Sequence, residues 1–205
     1  MSIVTYNNRS IANISAIPGA AKSLTHIKTL TASSSATLSF VDGSDDVVLD
    51  STYPIYKFEF INIHGATDGA QFQVGFRDGG TDYDATKTST FFRGQNREDG
   101  NGGSTGYEAS GDLAQGTGFQ NLTQDLGNDN DQNLSGYLHL FNPASTTFVK
   151  HFIAESNSSA SNDRSFNNFI AGYCNVTAAI DAVQFKMSSG NIDAGTIKLY
   201  GLKDS

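Results

Sequence analysis

The stretch YPIYKFEFINIH, residues Tyr53–His64, sets the interpretation of the whole chain. Successive side chains of a β-strand point to opposite faces, so Tyr56, Phe58 and Phe60 share one face of an extended segment. The opposite face combines isoleucines with charged side chains, and both faces carry apolar groups towards the end of the stretch. This pattern predicts a strand that lies in the centre of a sheet.

Shorter runs that also indicate strands lie on both sides of this stretch. Residues 70–80 alternate most cleanly, because Phe72, Val74 and Phe76 share one face and the turn sequence DGG follows them. About nine or ten strands are indicated, and no segment has the length and period of a long helix. The sequence therefore predicts an all-β fold, an antiparallel β-sandwich of the jelly-roll type. The other strand candidates are SLTHIKTLTA, SATLSFV, KTSTFFRG, LSGYLHLFN, TTFVKHFIAES, FNNFIAGYCNVTA, IDAVQFKMSSG and AGTIKLYGLK.

The predicted domain organisation is an extended N-terminal arm, residues 1–24, followed by a sandwich domain, residues 25–205. The arm has isolated hydrophobic residues without a strand or helix period, and such a segment either frays or docks on a partner. We expect docking, because a disordered tail has no need for repeated β-branched residues. Within the domain, residues 94–118 are rich in glycine and predict a long surface loop. The residues expected to dock the arm are Ile3, Val4, Tyr6, Arg9, Ile11 and Ile14.

The composition of the 205 residues excludes two classes of partner. The formal net charge is −8, only 17% of residues are charged, and lysine and arginine do not cluster. Neither nucleic acid nor an anionic membrane is therefore expected as a partner. No apolar run approaches the ~20 residues that span a bilayer, and no signal-peptide pattern follows Met1. The single cysteine, Cys174, cannot form an internal disulfide and is expected to be a small buried hydrophobe.

The acidic loop GNDNDQN, residues 127–133, resembles the start of a calcium-binding loop. An EF-hand loop places oxygen ligands at positions 1, 3 and 5, glycine at position 6 and glutamate at position 12. Asp129, Asp131 and Asn133 fit the first three positions, but leucines occupy positions 6 and 12. A polar loop whose side chains bond the local backbone explains the same residues, so no metal site is predicted here.

No other group of residues predicts catalysis. Four aspartates fall within residues 41–50, and glycosidases use a pair of carboxylates, but turn residues account for this cluster. The four histidines lack metal-ligand spacing, and His139 and His151 fall in predicted strands, where a cross-strand pair would be pH-sensitive. Neither a phosphate-binding loop nor a nucleophile elbow occurs in the sequence. We therefore predict a non-enzymatic protein with no catalytic residues, no metal and no cofactor.

Four segments carry a resemblance to a known family: NNRSI, IYKFEFINIHGATD, LSGYLHLFNPASTTFVKHFIA and VQFKMSSGNIDAGTIKLYGLK. Together they resemble small virion structural proteins of marine tailed bacteriophages, including cyanophages. The resemblance covers nearly the whole chain, and FKMSSGNIDAGTIKLYGL is its most specific part. It implies a virion component that self-associates, with a homotrimer favoured, and whose arm docks on another virion protein. It brings no catalytic residues.

Within that family, the sequence favours a fibre or appendage protein of the tail or head, exposed on the virion after assembly in the host cytoplasm. A capsid decoration (cement) protein and a carbohydrate-binding, receptor-recognition module are the alternatives. Such a module would bind a host surface glycan through aromatic side chains with polar groups beside them. Its candidate contacts are Tyr83, Phe91, Phe92, Arg93 and Tyr107. The competing interpretation makes Phe91 and Phe92 core residues of one strand.

Overall fold

The computed structural model describes residues 24–203, which form two antiparallel β-sheets packed as a sandwich. This part of the chain contains strands, turns and bends but no helix, so it offers no helical segment that could cross a membrane. The strands are β1 (Leu24–Thr31), β2 (Leu38–Val41), β3 (Ile55–Gly65), β4 (Phe72–Arg77), β5 (Lys87–Arg97), β6 (Ser104–Tyr107), β7 (Gln120–Asn121), β8 (Leu134–Phe141), β9 (Lys150–Ala160), β10 (Arg164–Cys174), β11 (Ala182–Met187) and β12 (Ile192–Leu202).

The larger sheet has eight strands in the order β1-β12-β3-β8-β9-β10-β5-β6, and the smaller has four in the order β2-β11-β4-β7. Every neighbouring pair is antiparallel. The predicted all-β, antiparallel sandwich is confirmed. β3 lies inside the larger sheet, between β12 and β8, as its sequence predicts.

Four strand pairs are nested along the chain: β1 with β12, β2 with β11, β3 with β8 and β4 with β7. Two hairpins interrupt this nested set, β5–β6 between β4 and β7, and β9–β10 between β8 and β11. Both join the same edge of the larger sheet, because β9 pairs with β8 and β10 pairs with β5. We call β5, β6, β9 and β10 the inserted strands. The jelly-roll version of the sandwich stays a prediction.

Phenylalanine builds the interior between the nested strands. Phe185 of β11 lies at its centre, with the ring centroids of Phe58 and Phe60 at 5.4 and 5.3 Å. The centroids of Phe40 and Phe72 lie 6.3 and 5.7 Å from that of Phe185. All five side chains are buried. Each such ring removes roughly 150–250 Å² from water, so this cluster holds the two sheets together.

An irregularity near the end of β3 explains the apolar groups on both faces of its sequence. The pairing of β3 with β8 shifts between Phe60 and Ile63, and Asn62 has a φ of 51°. Asparagine tolerates this left-handed conformation better than most residues. The extra residue of such a bulge turns the following side chains to the other side, so Ile63 is buried like Phe60.

The interior under the inserted strands is mixed, because polar side chains are buried there beside Phe91, Phe152 and Phe166. The Ser89 hydroxyl donates to Gln120 Oε1 at 2.5 Å, and Gln120 Nε2 donates to the Gly111 carbonyl at 2.7 Å. The Ser156 hydroxyl donates to the Leu122 carbonyl at 2.6 Å. The inserted strands and residues 120–123 contribute all the buried polar residues of the described chain: Lys87, Ser89, Gln120, Thr123, Lys150, Ser156, Ser158 and Asn168.

The prediction of a surface loop over residues 94–118 is partly wrong. β5 continues through Gly94 to Arg97, and β6 follows after a turn. These segments lack a two-residue hydrophobic period, so their sequence gives no strand signal. Pairing holds them in the sheet instead, since Gly94 lies opposite Asn167 of β10 and Thr105 of β6.

The predicted arm lies outside the described residues, and so do its expected docking residues Ile3, Val4, Tyr6, Arg9, Ile11 and Ile14. Leu24, assigned to the arm from sequence, is the first residue of β1 and lies opposite Leu202 of β12. The described part of the chain therefore begins in an edge strand of the larger sheet.

Candidate interaction surface

The outer side of the larger sheet, which faces away from the smaller sheet, carries an ordered row of side chains. The row crosses all eight strands, and each member lies directly opposite the next. Residues opposite one another in neighbouring strands share a face, so their side chains contact each other. From β1 to β6 the row is Thr29, Lys198, Glu59, Tyr137, Glu155, Phe169, Phe92 and Tyr107.

A second row runs parallel to the first on the same side, at a spacing of two residues on each strand except β1, where a register shift makes it three. Three of the four histidines lie on this side of the sheet, because His151 of β9 alternates in phase with Ile153 of the second row. His139 is opposite Ile153, so the predicted pair of His139 and His151 is a diagonal rather than a direct one. From β1 to β5 the second row is His26, Tyr200, Lys57, His139, Ile153, Ala171 and Thr90.

Five large apolar side chains on β8, β9, β10, β5 and β6 are grouped on this side, and we name them the outer aromatic face: Phe92, Tyr107, Tyr137, Ile153 and Phe169. Phe92, Tyr107 and Ile153 are 50%, 58% and 48% exposed. The rings of Phe92 and Phe169 are nearly parallel, with centroids 5.0 Å apart and 12° between their planes. These strands therefore present large apolar groups to solvent on the side where a solvated sheet usually carries polar residues.

Two shallow depressions adjoin on the outer aromatic face, and Ile153 and Ala171 line both of them. Ala171 is short, while Phe169 and Tyr173, its neighbours on the same side of β10, are long. The surface dips at Ala171 for this reason, and the dip is wide and open rather than a closed pocket.

Carboxylates fix both tyrosines of the outer aromatic face. The Tyr137 hydroxyl donates to Glu155 Oε2 at 3.0 Å, and the Tyr107 hydroxyl donates to Asp112. Each hydrogen bond raises the pKa of its tyrosine, because the neutral hydroxyl is the donor. The two rings are thus oriented and uncharged.

The other half of the same side, on β12 and β3, is basic. Lys198 lies opposite Glu59, and Lys57 Nζ contacts Glu59 Oε1 at 2.7 Å. Burial and the neighbouring Lys57 charge lower the pKa of His139, which is opposite Lys57. Two lysines and one glutamate leave the rows on β12 and β3 with one positive charge, whereas Glu155 and Asp112 place two negative charges beside the tyrosines of the aromatic half.

Two of the five residues predicted to contact a glycan meet on the outer aromatic face, since Phe92 and Tyr107 are direct cross-strand neighbours. Phe91 is fully buried, so its prediction as a glycan contact is wrong. Alternation along β5 turns Phe91 towards the interior and Phe92 towards solvent. The alternative interpretation, in which both phenylalanines are core residues, is correct for Phe91 and wrong for Phe92.

The other two predicted glycan contacts lie elsewhere. Arg93 follows Phe91 on the inner side of β5, where its guanidinium is 3.1 Å from Glu108 Oε2 and 4.3 Å from the centroid of Phe166. Tyr83 covers Gly75 on the outer side of the smaller sheet, where a Cβ added to the glycine would approach Tyr83 Cβ to 2.9 Å. The five residues therefore do not form one site.

The acidic loop lies against the end of β3 and forms a polar pocket with it. His64 Nδ1 is 3.8 Å from Asp193 Oδ2, and His64 Nε2 is 3.3 Å from the Asp129 carbonyl oxygen. Asn62 and Asp131 line the same pocket. Within residues 24–203, no three histidine, cysteine, aspartate or glutamate side chains are grouped so that they could hold a metal ion.

The four aspartates of residues 41–50 lie in turns, as the sequence predicts. Asp42 Oδ1 accepts a hydrogen bond from the Leu49 amide at 2.8 Å, and Asp50 Oδ1 accepts one from the Thr52 amide at 2.7 Å. The hydrogen bonds of Thr52 lower the pKa of Asp50. These carboxylates organise the local backbone.

Sequence reasoning missed a buried row of Lys87, Cys174 and Lys150, which lie directly opposite one another on β5, β10 and β9. The prediction that Cys174 is buried is confirmed, and burial raises the pKa of its thiol to about 12. Burial also lowers the pKa of both lysines. Lys87 Nζ donates to the Ala85 carbonyl at 2.5 Å. Lys150 Nζ donates to the carbonyls of Ser145, Phe148 and Val176 at 3.0, 3.3 and 2.8 Å.

Comparisons with known proteins add no relative to this description. No family model matches the chain, and neither a curated protein nor a solved structure matches it. The resemblance to virion proteins of marine phages stays a prediction from the sequence.

Proposed function

We propose that this chain is a non-enzymatic structural protein of a bacteriophage virion, a fibre or appendage component of the tail or head. Its N-terminal arm docks on another virion protein, and its sandwich associates with further copies of itself, with a trimer favoured. The alternative within the same class is a capsid decoration protein. In either case the protein lies on the virion surface after assembly in the host cytoplasm.

The outer aromatic face is the observation that carries this proposal. Soluble monomers rarely expose a large contiguous apolar patch, and a larger patch marks a site of interaction. Phe92, Tyr107 and Ile153 are each about half exposed on neighbouring strands. A substrate site is expected to be concave, with polar groups that converge on the reacting atoms. A flat apolar surface suits assembly better than it suits chemistry.

The nested strand pairs support the same proposal. A ribbon of four nested antiparallel pairs gives a jelly roll when alternate pairs fall in opposite sheets. In this chain β1–β12 and β3–β8 belong to the larger sheet, and β2–β11 and β4–β7 belong to the smaller one. We infer a jelly roll enlarged by the inserted strands. Jelly rolls are found in viral capsid proteins and in lectins, which is consistent with a virion role.

Cryo-electron microscopy of the virus particles that encode this chain tests the proposal. Density for the enlarged sandwich on the tail or on a protruding fibre would support the appendage role. Density on the capsid lattice would support the decoration role instead. Particles that lack the sandwich altogether would contradict both.

Removal of residues 1–23 tests the docking role of the arm. We expect the shortened chain to fold, because residues 24–203 contain both sheets, but not to be incorporated into particles. The full chain with Arg9→Ala and Ile11→Ser is the graded comparison, and it should be incorporated poorly. Normal incorporation of the shortened chain would contradict arm docking.

A second candidate function, glycan recognition, is favoured by one observation. Phe92 and Tyr107 are exposed neighbours, and the carboxylates of Asp112 and Glu155 lie beside the aromatic groups, as a sugar site requires. Binding to a glycan array that disappears in Tyr107→Ala would support it. Tyr83→Ala is the matched control, because Tyr83 lies over the smaller sheet and should leave binding unchanged.

A further inference from the structure

We infer that further copies of this chain cover the outer aromatic face in solution. This inference rests on the proposed function, and it names the surface through which the copies meet. The occupant is the same protein rather than a glycan, because of the size of the surface, its charge pattern and the construction of the strands that carry it.

The size of the surface fits a protein partner. Eight strands about 4.8 Å apart span ~34 Å, and the two rows described above, with a third through Leu202, Ile55 and Phe141, cover ~20 Å along the strands. The footprint is therefore on the order of 700 Å², close to the ~800 Å² that each partner contributes to a standard interface. A single sugar ring would cover only a small part of it.

The charges on the two halves of the surface are complementary. Lys57, Lys198 and Glu59 leave one positive charge in the rows on β12 and β3, while Glu155 and Asp112 place two negative charges beside the tyrosines of the aromatic half. A neighbouring copy that lays its basic half on this aromatic half places lysines over tyrosine and phenylalanine rings, a favourable arrangement. Such half-to-half contacts close as a two-fold pair, in which one partner covers both halves, or as a ring of three, in which each half meets a different neighbour.

The inserted strands carry large apolar side chains on their outer side, and this favours burial of that side by a partner. Their inner side already buries apolar rings such as Phe91 and Phe152 together with polar groups such as Asn168. Four of the five residues of the outer aromatic face belong to these strands, with Tyr137 of β8 as the exception. Burial of apolar area is the main force in association, and these strands carry further apolar area on their outer side.

The side chains of the outer aromatic face are held before any partner arrives. Tyr137 and Tyr107 are bonded to carboxylates, and the Phe92 and Phe169 rings are stacked. Ordering flexible side chains is one of the costs of association, so fixed aromatic groups on a rigid sheet reduce that cost.

Light scattering during size-exclusion chromatography of the full chain tests the inference. We expect the wild-type protein to elute with the mass of two or three protomers. Ile153→Asp and Phe92→Asp, which place a charge in the middle of the surface, should elute as monomers. Phe148→Asp is the matched control, because Phe148 is 70% exposed but lies in the loop before β9, outside the rows. It should remain associated, and all three variants should keep the wild-type circular dichroism spectrum.

Four outcomes would overturn the inference. The first is a monomeric wild-type protein at every concentration tested. In the second, the Asp variants are folded and remain associated. In the third, a monomeric wild-type chain binds an arrayed glycan and Phe92→Asp does not, which would make the surface a sugar site. A chain whose association survives Ile153→Asp but is lost without residues 1–23 would place the contact in the arm and would also overturn it.

The same measurements separate this inference from the proposed function. An oligomer that Ile153→Asp dissociates, in a protein absent from virions, would keep the inference and contradict the virion role. A monomeric protein that is found in virions would contradict this inference and keep the virion role.

Discussion

The two halves of the sandwich interior are filled by different kinds of side chain. Between the nested strands, Phe185 and its neighbouring phenylalanines bury apolar area, which stabilises without strict directional requirements. Under the inserted strands, hydroxyls, amides and two lysines are buried beside rings such as Phe152, and each polar group needs a hydrogen-bond partner in the right place. Apolar burial therefore stabilises both halves, whereas the second half also depends on directional bonds. The half with the mixed interior is also the half with the aromatic exterior.

The largest expected effect is in the apolar interior between the nested strands. Phe185→Ala should lower the free energy of unfolding by about 3–5 kcal/mol, because four phenylalanine rings around it would line a cavity. Urea unfolding followed by fluorescence or circular dichroism measures this loss. Phe148→Ala removes an exposed phenylalanine and should change stability by less than about 0.5 kcal/mol. Equal losses in the two variants would contradict the central role of Phe185.

The next prediction compares the stability lost on replacing each of the two lysines that are buried under the inserted strands. Lys150→Met should cost about 2 kcal/mol, since three backbone carbonyls lose their shared donor. Lys87→Met should cost less than about 1 kcal/mol or even stabilise the fold. Lys87 donates to the Ala85 carbonyl, and burial disfavours its charge. Urea unfolding of both variants checks the difference, and equal losses would show that the number of carbonyl partners is irrelevant.

A smaller effect is expected from one hydroxyl under the inserted strands. Ser156→Ala should cost about 1–2 kcal/mol, because the buried Leu122 carbonyl would lose the donor that lies 2.6 Å away. Ser159 is on the outer side of the same strand, so Ser159→Ala is the matched control and should be near neutral. The midpoints of urea unfolding compare the two. A neutral Ser156→Ala would mean that hydrogen bonds do not specify this half.

The smallest effect is visible only at alkaline pH. The Cys174 thiol has its pKa raised to about 12 in the folded chain from an ordinary value of 9.0. A raised pKa gives stability that is fully present below pH 9.0 and is lost as the pH rises through about 12. Between pH 9 and pH 10, wild type should lose about 1 kcal/mol more unfolding free energy than Cys174→Ala. The buried lysines titrate in the other direction in both proteins, since burial has a larger effect on their pKa than the Cys174 charge has. Parallel pH profiles would contradict the burial of the thiol.

Most of the fold could be predicted from the sequence, because the nested strands alternate apolar and polar residues. The strands around Phe58, Phe72 and Phe185 were found from this period alone, and so was the central position of β3. β6 and the end of β5 could not be found in this way. Their glycines and polar residues carry no period, and pairing makes them strands, since β5 pairs with β10 and β6 pairs with β5.

The candidate surface was predictable only in part, for a related reason. Phe91 and Phe92 are consecutive, and the composition of KTSTFFRG does not tell which of them points inwards. The inner residues of that strand include Lys87 and Ser89, although lysine and serine usually face solvent. The polarity of these residues therefore predicts the wrong inner side for the strand. Tyr137, Ile153 and Phe169 join Phe92 and Tyr107 through the order of strands in the sheet, which no single segment of sequence reveals.

The pairing of β1 with β12 has a consequence for the order of events during synthesis. The ribosome delivers β1 first among the described strands and its partner last, so this outermost pair closes only when nearly the whole chain has emerged. Contacts between such distant segments also form slowly, because the long loop between them must be closed first. The proposed arm is continuous with β1, and β1 is fixed in the sheet only when it pairs with β12 at this last step. Docking of the arm would then select sandwiches that have already closed, and unfinished chains would be left out of the growing particle.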